Sequence, residues 1–542
     1  MRPIPWKCRP VDEAVVQQLS AATGVLPIIA RLLVLRGVKE PEAVSVWLNP
    51  DIKYLHPPEL LPDFEPAATR IFQALERREK ILIWGHDDLD GITAVLILVK
   101  VLSGMQALVG YHIPTKGRDK HGLDAKFVAE LSAAERPGLI ITVDCGISNH
   151  NDILKLKEQG IEVIVTDHHE AILPLPPALA VVDPKRSDSQ YPYPLLTGAG
   201  VALKLAMGLV QRRMGLTIPE FLSAQSDLLG LVTLGTIADR APLTGENRIL
   251  VKFGFEQLVN TKLPAVRAVL ENLKMDNDQL TVGSFLSELL PLFASANGKE
   301  GVAKFLSSDA LEAQRWVQEL AKRSLEWRAE AERTLNLALE NVRLGDGILF
   351  VQNPELSLRA LGFSAARLKD RYQVPAIVLG KKGDVWVGEC RGIEGVDLTQ
   401  LLQALRGFLV DFGGHKKAAG FTIRQELVPE FIRAAERYAH ENFAGRIIPE
   451  NVLQADGVLP FKEFTPQICH LAPFGEGNPE PVFISEPVHL IEREIGVVPE
   501  NRLDLVLKVK KNGLEIEPEV SYFVLYSVDD LCRLSILDLK PA

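Results

Sequence analysis

The sequence predicts an α/β protein: a parallel, doubly wound sheet first, then a long connecting helix, a smaller α/β domain and a C-terminal β-barrel. Three observations carry the first part. Ile81-Leu82-Ile83-Trp84, Leu139-Ile140-Ile141-Thr142-Val143 and Val163-Ile164-Val165-Thr166 are short runs rich in Ile and Val, the composition of strands buried on both faces. Helix-like segments separate them, the alternation that builds parallel sheets through crossover helices. Each run stops at acidic or imidazole side chains: His86-Asp87-Asp88-Leu89-Asp90-Gly91 after the first, Asp144 after the second and Asp167-His168-His169 after the third. Open sheets place ligands beyond the carboxyl ends of their strands. Carboxylates gathered there repel one another unless cations sit between them, so the pattern reads as a metal site.

Composition bounds the rest. A chain of 542 residues, 47% hydrophobic and 24% charged, can bury several cores and suggests three or so domains. No run reaches the roughly 18 to 20 apolar residues that a membrane span needs, and Met1-Arg2-Pro3-Ile4-Pro5-Trp6-Lys7-Cys8 lacks an apolar signal core. Cys8, Cys145, Cys390, Cys469 and Cys532 form no CxxC pair and no even framework. The expectation is a cytoplasmic protein with reduced thiols and no membrane partner. A net charge of -10 and a pI near 5.7 exclude a surface coated in basic residues, yet a local basic groove beside a metal cluster can still hold a polyanion. Global charge therefore does not decide on nucleic acid.

Along the chain, a proline-punctuated helical segment runs to about Glu79, and the strand and helix alternation runs from Lys80 to about Asp239. A helical and loopy stretch from Ala241 to Asn297 completes a first region, residues 1–300. Asp309 to Val342 holds strong helix formers without Pro or Gly and predicts a connecting helix within 301–345. Gly347-Ile348-Leu349-Phe350-Val351, Val374-Pro375-Ala376-Ile377-Val378-Leu379 and the glycine-rich loop Phe412 to Phe421 belong to a second α/β unit, 346–448. Alternating runs such as Leu503 to Val509 and Val520 to Leu525 suit a small barrel in 449–542. No internal repeat or low-complexity tract interrupts this order.

Asp88 and Asp90 stand two apart at a strand end, and Gly91 lets the backbone turn into the next helix, so both carboxylates reach one small volume. Taken alone, Asp-x-Asp-Gly also describes a solvated acidic loop. Asp144 is followed by Cys145-Gly146-Ile147-Ser148, a second tight turn, although a lone acid there reads equally well as a helix N-cap. His168 and His169, adjacent after a strand, point in different directions, so one can bind metal while the other reaches a substrate phosphate or water. Leu234-Gly235-Thr236-Ile237-Ala238 leads to another acid, Asp239. Oxygen ligands with one or two histidines favour Mn²⁺ or Mg²⁺ over structural zinc. Two such ions roughly 3.5 to 4 Å apart activate a water and stabilise in-line displacement at phosphorus.

These four motifs, Asp88 to Gly91, Val143 to Ser148, Asp167 to His169 and Leu234 to Asp239, resemble those of the DHH phosphoesterases. Within that superfamily the chain resembles the RecJ single-strand exonuclease branch, on Gly198 to Ala202, Pro242 to Arg248, Gly413-Gly414-His415 and Pro473 to Phe483. The similarity runs over nearly the whole chain. It implies Asp88 on one metal, Asp90, His168 and Asp239 on the other, Asp144 bridging both and His169 close to the scissile phosphate. Catalysis would rest on His169, Asp90 and Asp144. The resemblance also implies a DHH-associated domain of the DHHA1 type, whose Gly413, Gly414 and His415 hold nucleic-acid phosphate with Arg391 as a charged ligand, and an OB-like barrel gripping single-stranded DNA. It further implies hydrolysis from the 5′ end, a role in DNA repair and recombination, and a single-strand-binding protein or helicase as the partner class.

The chain departs from the family pattern at several positions. His86 stands where an Asp is usual and is an additional candidate metal ligand. Glu389, in Gly388 to Gly392, replaces a serine and brings a like charge towards a phosphate. Pro114-Thr115-Lys116 replaces Pro-Asn-Arg, keeping charge at Lys116 without the bidentate fork. Phe293 and Ser295 stand for an arginine and an asparagine, and Ser357 lies near the place of a histidine. The losses fall on substrate contacts and the metal ligands survive, as in a diverged paralogue. Gly413 to His415 also reads as a turn beside a core histidine, and Lys416-Lys417 as a solvated pair. The function expected is metal-dependent hydrolysis of phosphodiester bonds in single-stranded DNA. A related enzyme acting on short oligonucleotides or cyclic dinucleotides, and a catalytically weak DNA-binding scaffold, are the alternatives.

Overall fold

A computed structural model of the protein describes residues 5–115, 122–170, 174–276, 279–293, 296, 298–393, 395–443, 452–493, 496–509, 516–517 and 519–542. The chain divides into two compact units, Cys8–Leu320 with Gln454–Ala542, and Met1–Lys7 with Ala321–Leu453.

The larger unit is built on a five-stranded parallel sheet. Its strands are β1 (Lys80–Trp84), β2 (Leu108–His112), β3 (Leu139–Val143), β4 (Glu162–Thr166) and β5 (Ala180–Val182), in the order β2-β1-β3-β4-β5. The three central strands are the predicted Ile/Val runs, and their burial on both faces explains the missing polar alternation. The chain leaves β1 for β2 on one side and returns to β3 on the other. That makes the ends of β1 and β3 the switch point where such sheets open a crevice. Three apolar helices, α1 (Leu89–Gly104), α2 (Gly198–Met214) and α3 (Asp227–Ala238), pack together behind it and are buried nearly all round.

The long helix is α4 (Ala310–Glu340), 31 residues without a helix breaker. In the smaller unit, β6 (Val342–Leu344), β7 (Leu349–Gln352), β8 (Ala376–Lys382), β9 (Val385–Arg391), β10 (Leu409–His415) and β11 (Ala418–Arg424) form one sheet in the order β10-β11-β9-β8-β7-β6. Its helix α5 (Leu361–Tyr372) packs on β8 and β9. The glycine-rich segment, expected as a loop, is a β-hairpin: Gly413 pairs with Gly420 and His415 with Ala418, and only Lys416-Lys417 turn.

The C-terminal strands β12 (Val488–Arg493), β13 (Gly496–Pro499), β14 (Leu507–Val509), β15 (Ser521–Val528) and β16 (Leu534–Pro541) pair in the circle β12-β13-β14-β16-β15-β12. β14 and β16 are parallel and the other pairs antiparallel, so the sheet closes as a five-stranded Greek-key barrel of OB type. Helices Glu13–Thr23 and Pro27–Leu35 share a core with it through Val16, Leu19, Leu32, Phe461, Phe483 and Tyr526.

Two sequence motifs meet in this unit. Leu243 N–H donates to the Glu476 carbonyl at 2.7 Å, and a Cβ on Gly475 would lie 2.7 Å from Leu243. The buried Arg248 donates to the carbonyls of Leu471 and Ala472, both at 2.7 Å, and of His470 and Trp47, both at 3.1 Å. Four carbonyls satisfy the guanidinium without a carboxylate, and burial lowers its pKa to about 9. Pro242 to Arg248 and Pro473 to Phe483 are therefore the two halves of one joint.

Free thiols were expected at Cys469 and Cys532, and they are joined as a disulfide. The tertiary fold brings their Cα atoms to 5.5 Å across 63 residues, a proximity that no local spacing announces. Among the described residues, no single helix is long and apolar enough to cross a membrane.

Candidate metal centre

Each acid expected at the site is set by the end of an element. Asp88 is the N-cap of α1, its Oδ1 accepting from Gly91 N–H at 2.9 Å, and Asp90 follows in the first turn. Gly91 has to be glycine, because a Cβ there would lie 2.5 Å from the His86 carbonyl oxygen. Asp144 follows β3 with φ +57°, a left-handed conformation costing roughly 1–3 kcal/mol that the surrounding structure holds in place. His168 follows β4, and Asp239 ends α3.

These side chains converge. His86 Nδ1 lies 2.9 Å from Asp88 Oδ2 and 3.8 Å from Asp144 Oδ2; His168 Nε2 lies 3.0 Å from Asp144 Oδ1 and 3.8 Å from Asp90 Oδ2. Three sets bring their ligand atoms within 4.8 Å of one another: His86, Asp88 and Asp144; Asp90, His168 and Asp239; Asp144, His168 and His169. The donors suit divalent cations. One observation speaks for a cation in particular: His168 Nε2 is buried among carboxylates and has no hydrogen-bond partner of acceptable geometry.

The helices behind the site hold it. The N-terminus of α2 donates two N–H groups to Asp90, from Gly198 at 2.7 Å and Ala199 at 3.0 Å, where the helix dipole also favours the anion. A Cβ on Gly198 would come within 2.4 Å of Asp144 Cβ, and one on Gly235 within 2.5 Å of Asp90 Oδ1. The glycines of Gly198 to Ala202 and Leu234 to Asp239 thus let two helices reach the ligands. Gly198→Ala is expected to push Asp144 aside and weaken Mn²⁺ binding by about 10- to 100-fold, the scale of lost ligand support. Calorimetric titration checks this, with circular dichroism to show that the fold persists.

Electrostatics follow from crowding. Burial first, then the charges of Asp239 and Asp88, pushes Asp90 up to about 8. Burial and Asp88 push Asp239 up to about 6, and burial with Asp90 and Asp88 raises Asp144 well above the carboxylate range. Burial acts the same way on Asp88, but the hydrogen bond and charge of His86 outweigh it and bring the group down to about 2. Burial lowers His168 to about 4, leaving the neutral imidazole that a metal requires. Carboxyls with raised pKa favour the cation-free fold only while protonated, so that contribution is complete below the unfolded value and is lost as pH rises through about 6 and about 8. The melting temperature in chelator is expected to fall between pH 5 and pH 8, and the increment from added Mn²⁺ to grow over the same range. Scanning calorimetry at both pH values decides, and an increment independent of pH would contradict it.

The roles of several further residues at the site are not legible in the sequence. Asp167 accepts from Ile147 N–H at 3.0 Å and His168 N–H at 2.8 Å, and its Oδ1 lies 2.7 Å from His169 Nδ1. That contact fixes the His169 ring and raises its pKa. Asp87 accepts from Gly298 N–H at 2.6 Å, tying the acidic turn to helix Gly298–Leu306. Asp183, after β5, has a buried Oδ2 without a partner; the signal was a fifth apolar run, Ala180-Val181-Val182, ending at an acid.

In the smaller unit, Arg391 ends β9 and donates to Glu389 Oε2 at 2.9 Å and to the Cys390 carbonyl at 2.8 Å. Gly413 and Gly414 line a cavity of about 590 Å³ with Phe412, Ala419 and helix Leu398–Ala404. Lys116 and the His415 side chain lie outside the described residues.

Fold and ligand set together define a DHH-type protein with its associated domain. Residues 80–236 match the model of the DHH family, N-terminal domain, and residues 345–441 that of the DHHA1 domain. The chain belongs to the RecJ family. It is 31% identical to the single-stranded-DNA-specific exonuclease RecJ of Dickeya dadantii over 86% of this chain and 85% of that protein. It is 31% identical to that of Bacillus subtilis over 94% of this chain, of which it spans 65% of the length. The crystal structure of RecJ in complex with Mn²⁺ from Thermus thermophilus superimposes with a TM-score of 0.79 at 28% identity, covering all of this chain (100%) and 80% of that one.

Proposed function

We propose that this protein hydrolyses phosphodiester bonds in single-stranded DNA, removing nucleotides from the 5′ end, with two Mn²⁺ or Mg²⁺ ions held at the switch point of the sheet. The observation that carries the reading is the pair of ligand sets, His86, Asp88, Asp144 and Asp90, His168, Asp239, brought into one volume. Bound there, divalent ions supply an activated water and positive charge against the phosphate oxygens.

The protein's own groups do the rest. Asp144 lies within reach of both sets and serves both. Asp90, gripped by two N–H groups of α2, keeps its carboxylate in one orientation. Asp167 faces His169 Nδ1, which leaves the half-exposed ring's Nε2 to donate to a phosphate oxygen and favours the charged imidazolium. Arg391 and the Gly413-Gly414 strand are the phosphate contacts of the associated domain. The OB-type barrel supplies the grip on a strand without a complement. The setting is cytoplasmic DNA repair and recombination, with a helicase or single-strand-binding protein as the partner that presents the strand.

The barrel separates this reading from action on small substrates. The test compares Mn²⁺-dependent hydrolysis of a long single strand, its duplex and a cyclic dinucleotide. The reading requires the single strand to be cut fastest; a preference for the cyclic dinucleotide would refute it.

A further inference from the structure

Two of the three ligand sets, His86, Asp88, Asp144 and Asp90, His168, Asp239, have the same make-up, two carboxylates and one imidazole. Mg²⁺ takes oxygen ligands and keeps much of its water, whereas imidazole nitrogen suits transition ions such as Mn²⁺ and Co²⁺. In the Asp90, His168, Asp239 set the nitrogen follows a strand end; in the other it comes from His86, in the turn between β1 and α1. His86 is well placed to be a donor, with its side chain 27% exposed and Nδ1 facing Asp88 and, farther off, Asp144. Charge points the same way. Asp88, Asp90, Asp144 and Asp239 carry four negative charges when ionised, which two divalent cations cancel, and an imidazole at position 86 adds no negative charge to that balance. A carboxylate there would add a fifth negative charge, attracting a hard cation more strongly and opposing an incoming phosphate.

We propose that His86 sets the ion preference of the first site, making it a nitrogen-containing site that selects Mn²⁺ or Co²⁺ over Mg²⁺. The inference rests on the metal-centre reading above. It also differs from a purely structural role, in which His86 would do no more than orient Asp88 through their hydrogen bond.

The test uses the full chain at one fixed pH. Mn²⁺ binding is followed by calorimetry and by electron paramagnetic resonance, with Mg²⁺ as competitor, for the wild type, His86→Asp and His86→Asn. The expected result is that His86→Asp lowers the preference for Mn²⁺ over Mg²⁺ on the order of tenfold by gaining Mg²⁺ affinity. His86→Asn, which can still hydrogen-bond Asp88, is expected to weaken one Mn²⁺ and spare the other. Electron-spin-echo modulation should show imidazole nitrogen on both ions in the wild type and on one in His86→Asp. Equal preferences and unchanged nitrogen coupling in all three proteins would overturn the role of His86 while leaving the metal centre standing. No Mn²⁺ binding by the wild type would bring down the metal centre itself.

Discussion

Asp144→Asn should cost at least about a thousandfold in hydrolysis, some 4 kcal/mol of transition-state stabilisation at about 1.4 kcal/mol per decade, and should make the metal-free protein more stable. Both effects come from one position. Among the described residues, Asp144 alone belongs to sets containing His86 and Asp88 on one side and His168 on the other, so in the proposed two-ion centre its carboxylate would serve both ions. Burial first, and then the charges of Asp90, Asp88, Asp167 and Asp239, raise its pKa. Asn is nearly isosteric and tolerates the left-handed backbone at φ +57°. It removes the repulsion and keeps the geometry. Thermal melting in chelator and a hydrolysis assay read the two arms, and a variant that is both active and no more stable would contradict the crowding argument.

Glu246→Ala should destabilise the larger unit by about 3–5 kcal/mol, the cost of leaving a buried charge without its partner. Lys204, on α2, is fully buried and its ammonium donates to Glu246 Oε1 at 2.5 Å and to the His56 carbonyl at 2.8 Å. Tyr191 O–H donates to Glu246 Oε2 at 2.6 Å, and His56 N–H to Oε1 at 2.7 Å. Glu246 thus gathers the N-terminal segment, the Tyr191 loop and α2, the helix whose N-terminus grips Asp90. Removing the carboxylate strands the lysine, whereas exchanging both partners in Lys204→Met with Glu246→Leu should recover the part of the loss due to the stranded charge, and keep the part due to Tyr191 O–H and His56 N–H losing their acceptor. Urea unfolding of the three proteins measures this, and equal losses in the single and double variants would show that the pair itself is not the source.

The candidate ligands stand out in the sequence because each follows an apolar run long enough to announce a strand or a buried helix, and the fold brings them together. Asp183 was missed because its strand, Ala180–Val182, is three residues long. The service of Asp167 to His169 was hidden for another reason: its place in Asp-His-His is visible, but which atom of the ring it meets is set by the turn after β4. The glycine-rich segment read as a loop, since glycine marks turns; β10 and β11 form a local hairpin, but it is the pairing of β11 with β9, a strand well before it in the chain, that adds the hairpin to the sheet. Pro242 to Arg248 and Pro473 to Phe483 each stand out in the sequence, yet nothing in either says that they touch. The Cys469–Cys532 disulfide has the same origin, proximity made by the tertiary fold.

The most direct test of the central claim is hydrolysis of single-stranded DNA with Mn²⁺, the strand labelled in turn at its 5′ and 3′ ends, with Asp90→Ala as the control. Mononucleotides released progressively from the 5′ end and abolished in Asp90→Ala are the predicted result. No cleavage of either strand, alongside measurable DNA binding, would contradict it and make the protein a scaffold.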